Sequence, residues 1–170
     1  MQSRLFLCLG SNCGDRHAMI GKATAAISDA FETLDATVRV AEPVSGPAQG
    51  FVSANPFVNV CMMITMERDH VWTPFQLTAI LALIKGIERA ISLMPHRNAD
   101  GSYRDREIDI DLIAVDDIVF RSSRLVLPHP RMAERDFVLA PMSKLFPSWT
   151  HPITGLTCEQ MLSALENKKQ

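Results

Sequence analysis

The segment Glu107-Ile108-Asp109-Ile110-Asp111-Leu112 constrains this chain more than any other. Alternation of apolar and acidic residues has the period of a β-strand. Ile108, Ile110 and Leu112 then share one face, and Glu107, Asp109 and Asp111 the other. Successive carboxylates on that second face stand about 7 Å apart. Like charges in a row destabilise a strand unless a cation or arginine side chains neutralise them. A solvated strand face is the plain alternative, but Arg97, Arg104 and Arg106 crowd the same region. Hard divalent ions are commonly held by one or two carboxylates together with phosphate oxygens, so the pattern points to a cation and phosphate site.

The rest of the chain supplies partners for that strand. Residues 4–9 form a short apolar run that stops at Gly10-Ser11-Asn12, a buried strand feeding a turn. From Asp15, a good N-cap, Ile20, Ala23, Ile27, Phe31 and Leu34 recur at helical spacing. A second strand covers 37–41, and an irregular stretch with three prolines and two glycines fills 42–56. Residues 57–66 read as a third strand, its even positions all apolar. Thr73-Pro74-Phe75-Gln76 combines a capping box with proline at the first helical turn, opening a helix that runs to about Leu93. A second irregular stretch, 94–104, leads into the acidic strand at 107–115. The order β-α-β-β-α-β predicts an α+β fold of the ferredoxin-like, split β-α-β kind, an antiparallel sheet with helices on one face. A C-terminal helical extension follows, with helices expected from about Met132 and over about 157–165. One domain spans 1–170.

Composition narrows the function. With 47% hydrophobic and 21% charged residues, the 170-residue chain is ordinary for a globular domain that buries roughly 70% of its unfolded surface. A net charge of −2 argues against nucleic-acid or membrane-surface binding. The longest apolar run, 77–84, is too short to span a bilayer, and residues 5–9 are too few for a signal-peptide core. The four cysteines form no CxxC pair, which suits reduced thiols in a cytoplasmic protein.

Four further features are chemically suggestive. Glu88 falls within the apolar stripe of its helix (Leu77, Ile80, Leu81, Ile84, Ile87, Ile91), so it must be paired, protonated or facing a cleft. A structural ion pair with an arginine of the following loop is the simpler alternative. Phe57 and Asn59 share the less apolar face of their strand, where an aromatic plate beside an amide can stack on and read a flat heterocycle. His129, within Leu127-Pro128-His129-Pro130, is followed by Arg131 and Arg135, which on a helix would form a polyphosphate clamp. The Gly10–Arg16 turn lacks the ending of a P-loop and the spacing of a dinucleotide fingerprint.

Taken in order, these pieces resemble the 6-hydroxymethyl-7,8-dihydropterin pyrophosphokinase family. The likeness rests on Leu9-Gly10-Ser11-Asn12-x-Gly14-Asp15-Arg16, on Pro43-x-x-Gly46 followed by Asn55-Pro56-Phe57-x-Asn59, and on Arg106-x-Ile108-Asp109-Ile110-Asp111-Leu112. Leu127-Pro128-His129-Pro130-Arg131-Met132-x-x-Arg135-x-Phe137 completes it. The resemblance implies transfer of diphosphate from ATP to the pterin hydroxymethyl group, in folate synthesis, with AMP leaving. It implies that Asp109 and Asp111 hold two Mg²⁺ ions, and that Phe57 and Phe137 sandwich the pterin while Asn59 and backbone groups near Ser45 and Gly46 bond its edge. Glu88, His129, Arg135 and Arg124 would serve ATP, and Arg106 and Arg97 the reacting phosphates. The chain departs from the family pattern where Ser92-Leu93 replaces a Gly-Arg pair and Tyr103 a tryptophan, in a longer loop; Arg97 is then the candidate to replace the lost arginine. Partners would be the two small substrates, with no nucleic acid or membrane, in a monomer or weak homodimer. A pterin- or nucleotide-binding module without catalysis is the main alternative, and a metal-dependent nuclease a weaker one.

Overall fold

Residues 5–9 are apolar on both sides, which suits a strand covered on both faces. The computed structural model describes residues 1–68 and 71–168. In it β1 (Gln2–Ser11) lies at the centre of an antiparallel sheet, between β4 (Phe57–Glu67) and β5 (Asp109–Val115). β2 (Thr37–Val40) pairs with the far half of β4, and β3 (Val44–Gly46) with its first residues, giving the order β2-β4-β1-β5. β1 continues through Gly10 to Ser11, two residues into the predicted turn, because Ser11 still pairs with Val58. β3 organises part of the stretch expected to be irregular, pairing Gly46 with Phe57.

On one face Leu5, Leu7 and Leu9 of β1, the even positions of β4, and Ile110 and Leu112 of β5 form a core. Against it pack α1 (Arg16–Glu32), through Ile20, Ala23, Ile27 and Phe31, and α2 (Pro74–Ile91), through Leu77 and Ile84. Each fully buried leucine here contributes about 1.5–3 kcal/mol relative to exposure. Asp15 caps α1 by accepting from Ala18 N, and the Thr73–Gln76 capping box opens α2. α2 ends at Ile91 rather than Leu93, with Ser92 N closing on Glu88 O.

The pattern predicts helices on one face, whereas the structure covers both. Phe6 and Cys8, Cys61 and Met63, and Ile113 are as apolar as their opposite neighbours, so the second face also needs a roof. α3 (Asp136–Leu145) and α4 (Cys158–Asn167) supply it with Val138, Leu139, Met142, Leu145 and Met161, joined by Trp149. A small hairpin, β6 (Phe120–Arg121) and β7 (Val126–Leu127), precedes them. The helix expected from Met132 is instead a 3₁₀ turn (Met132–Glu134), after which the chain extends at Arg135 before α3 begins. Arg131 and Arg135 flank this turn and share no helical face. Asp136 opens α3, where a carboxylate favours a helix N-terminus. The roof stops short of one end of the sheet, and that uncovered end is the cleft.

Candidate active site

The cleft follows from strand register. Gly10 of β1 lies opposite Asp109 of β5 and Asn59 of β4, so these three stand in one row on the second face. The next row is Asp111, Cys8 and Cys61. Because Gly10 has no side chain, the first row is notched in its middle. A Cβ there would sit 2.9 Å from Asn59 Oδ1 and 3.4 Å from Phe57 Cδ1. Two adjoining cavities result. A tight notch of about 40 Å³ is lined by Cys8, Gly10, Phe57, Asn59 and Phe137, with Pro47 and Gln49 of the 42–56 loop at its rim. A wider basin of about 220 Å³ is lined by His96, Arg97, Tyr103, His129, Arg131 and further cations. Asp109, Asp111, Arg106 and Arg135 line both. The two acids therefore form the wall between an aromatic, amide-edged notch and a strongly cationic basin.

Each acid is heavily contacted. Asp109 Oδ1 lies 3.5 Å from Lys85 Nζ and 3.5 Å from His96 Nδ1, and its Oδ2 lies 3.0 Å from an Arg106 nitrogen. Burial alone would raise its pKa, but Arg106, Lys85 and His96 outweigh burial and hold the carboxyl below its ordinary value. Burial likewise disfavours charge on Lys85, and Asp109 and Glu88 reverse this to raise its pKa. Asp111 lies 3.2 Å from Arg135 and 3.9 Å from His129 Nε2. His129 Nδ1 accepts from Arg131 N at 3.2 Å, which puts the ring proton on Nε2, facing Asp111. Burial pushes the His129 pKa down, against the pull of Asp111.

Glu107 does not join this row. The strand begins at Asp109, and the Glu107 carboxylate turns back to accept from Ser92 Oγ at 2.6 Å. Glu88, only 6% exposed, is paired as its position on the helix requires, though not with a loop arginine. It accepts from Lys85 Nζ at 2.7 Å and from Ile110 N at 2.6 Å, clamping α2 to β5 behind Asp109, with His96 Nε2 3.7 Å away. Arg97 lies over the Tyr103 ring at 4.1 Å and donates to Gly101 O at 2.7 Å, at the mouth of the basin. Arg124 is exposed in the β6–β7 turn and lines neither cavity. Ser45 and Gly46 lie in β3 beside Phe57, with Gly46 its register partner.

Several site residues carry little or no sequence signal. Asp105 Oδ1 accepts from Asn12 Nδ2 at 2.7 Å and Ser53 Oγ at 2.6 Å, and its Oδ2 from Asn55 Nδ2 at 2.5 Å. It thereby ties the 42–56 loop to the loop following α2, and the Ser53 bond leads in lowering its pKa. Asn12 also accepts from Arg106 N at 2.9 Å. The Arg106 guanidinium lies 5.5–5.8 Å from the centres of the Phe51, Phe57 and Tyr103 rings, an aromatic collar around the cation beside Asp109. A larger cavity, about 570 Å³, is at the other end of the sheet around Trp72, Asp116 and Phe146, and holds neither acid of the pair. No helix among the described residues is long and apolar enough to cross a membrane.

Comparison with known proteins gives the family. The family model for 7,8-dihydro-6-hydroxymethylpterin-pyrophosphokinase matches residues 6–147. A Porphyromonas gingivalis protein named 2-amino-4-hydroxy-6-hydroxymethyldihydropteridine pyrophosphokinase is 35% identical over 150 residues, covering 87% of this chain and 93% of its own. A protein of the same name from Methylorubrum extorquens is 32% identical over 164 residues, covering 96% of this chain and 94% of its own. Among solved structures, the chain is similar to Plasmodium falciparum HPPK-DHPS with pteroate. That match has a TM-score of 0.54 at 12% identity, and covers 99% of this chain and 43% of the other. At that identity the likeness speaks to the fold alone.

Proposed function

This chain belongs to the 7,8-dihydro-6-hydroxymethylpterin-pyrophosphokinase family, and on that premise we propose that it transfers the terminal diphosphate of ATP to the hydroxymethyl oxygen of 6-hydroxymethyl-7,8-dihydropterin. The observation that carries the reading is the placement of Asp109 and Asp111 between the aromatic notch and the cationic basin. We read the strand order, with β4 inserted antiparallel between β1 and β2, as the split β-α-β, ferredoxin-like arrangement. Residues 1–170 act as one catalytic unit.

The pterin lies in the notch between Phe57 and Phe137, and the side-chain amide of Asn59 reads its donors and acceptors together with backbone groups near Ser45 and Gly46. The triphosphate lies in the basin, where Arg106, Arg131, Arg135 and His129 face its oxygens, while Arg97 at the mouth is held on Tyr103 and Gly101 O. Glu88 serves ATP indirectly, by fixing β5 and hence Asp109. Asp109 and Asp111 are hard oxygen donors, two residues apart on one strand face and partly accessible from the cleft, which fits Mg²⁺. Bound there with the nucleotide, two such ions would offset charge on the phosphate oxygens. The pterin hydroxyl oxygen forms a bond to the β-phosphorus as the bond from that phosphorus to the α–β bridging oxygen breaks, and AMP leaves. The hydroxyl proton passes to one of the two aspartates or to solvent. Positioning and charge offset supply most of the rate in such reactions. The loops joined through Asp105 keep water out of the cleft.

Incubation with MgCl₂, ATP and the reduced hydroxymethylpterin should yield AMP and pterin diphosphate in equal amounts without ADP, measured by ³¹P NMR and chromatography. ADP would mean single phosphoryl transfer. Absence of product with both ligands still bound would mean a binding module without catalysis.

A further inference from the structure

The loop that replaces the family's Gly-Arg pair is built as a hairpin, and its root delivers a histidine to the acids. Arg97 and Tyr103 form an isolated antiparallel bridge. Asn98 N donates to Ser102 O at 2.9 Å, and Ser102 N and Oγ both donate to Asp100 Oδ1, at 2.9 and 2.6 Å. Gly101, at φ +83°, makes the turn. The Arg97 guanidinium is used within this hairpin, stacked on Tyr103 and bonded to Gly101 O. The added length of the loop is therefore internally hydrogen-bonded, and Arg97 is engaged within it.

At the hairpin's base, Arg104 N donates to His96 O at 3.4 Å, holding the two arms together. One arm then presents His96 and the other Arg106, and both reach Asp109, on different oxygens. His96 also faces Glu88 with its other nitrogen, Nδ1 at 3.5 Å from Asp109 and Nε2 at 3.7 Å from Glu88. Its ring thus spans the acid that clamps β5 and the acid at the cleft wall.

We propose that His96, and not Arg97, is the residue by which this loop acts on the acid pair, as a positioning residue that fixes the Asp109 carboxylate. This rests on the pyrophosphokinase reading above. Groups that orient a ligating side chain typically change metal affinity or activity by about 10–100-fold when removed. His96→Ala should therefore lower kcat by about 10–100-fold, and raise by about tenfold or more both the Mg²⁺ concentration for half-maximal rate and the Kd for an α,β-methylene ATP analogue titrated with MgCl₂. His96→Arg should restore most of each, because several donors can span the same two carboxylates. Thermal melts of both variants should match the parent. Arg97→Ala should cost at least tenfold less in kcat than His96→Ala. A fall in Tm with kcat, Mg²⁺ midpoint and analogue Kd unchanged would overturn the proposal, since that is the behaviour of a loop anchor. Equal or greater loss from Arg97→Ala would overturn it too. If the parent chain forms no AMP, the parent reading fails, whereas His96 is still tested by the calorimetric Kd.

Discussion

Gly10→Ala tests the notch with a single methyl group. The added carbon would lie 2.9 Å from Asn59 Oδ1, inside van der Waals contact, and 3.4 Å from Phe57 Cδ1, an ordinary contact that leaves no slack on that side. Asn59 is 5% exposed, so its amide cannot swing aside into solvent and must shift within the notch, against Phe57. Overpacking of this kind costs about 1–3 kcal/mol. Alanine recovers roughly 0.5–1 kcal/mol over glycine in a strand, leaving a net loss of about 0–2.5 kcal/mol in urea unfolding. The functional effect should be larger and one-sided. The Kd for 6-hydroxymethylpterin, by calorimetry, should rise at least tenfold, equivalent to about 1.4 kcal/mol, with nucleotide affinity within twofold of the parent. Gly21→Ala is the control: nothing lies within 4 Å of its added carbon, and alanine in an exposed helix position should stabilise by up to about 1 kcal/mol. Unchanged pterin affinity in Gly10→Ala, or an equal loss for nucleotide, would refute the placement of the pterin.

Three further outcomes follow from the same contacts. Glu88→Ala takes the nearer carboxylate from Lys85, which keeps Asp109, and leaves the buried Ile110 amide without its side-chain acceptor, so it should destabilise by roughly 1–3 kcal/mol in denaturant unfolding. Asp105→Ala removes the acceptor shared by Asn12, Ser53 and Asn55, so chymotryptic cleavage after Phe51 should accelerate several-fold while the global melting temperature barely moves. Burial lowers the His151 pKa below its ordinary 6.5, with Nδ1 accepting from Ile153 N and Thr154 N. The unfolded chain binds the extra proton first. The stability His151 contributes is therefore complete above about pH 6.5 and lost as pH falls through the lower folded value. Stability against pH should lose this segment in His151→Asn.

The acidic strand, its core-facing isoleucines and the Thr73 capping box were all legible because period-two alternation and local capping depend only on near neighbours. Glu88 was legible as a buried carboxylate, and its true partner, Lys85, stood three residues earlier on the same helix, a spacing that could have identified it. Arg131 and Arg135 looked helical because the break between the 3₁₀ turn and α3 is set by the docking of His129 N on Ile113 O, a contact across the fold. Asp105 and His96 were illegible for the same reason. Their partners lie on segments that meet only when both long loops fold over the sheet. The second helical layer was in fact written in the apolar residues at Phe6, Cys61, Met63 and Ile113, which demand cover on the side opposite α1 and α2.

The claim on which the rest depends is that the acid pair works on the transferring diphosphate. Single-turnover formation of AMP in Asp109→Asn and Asp111→Asn, with ATP and reduced hydroxymethylpterin saturating, addresses it directly. Each variant should fold as the parent does and form AMP at least about a hundredfold more slowly, the loss of several kcal/mol of charge stabilisation. A folded Asp109→Asn or Asp111→Asn that turns over within threefold of the parent would contradict it.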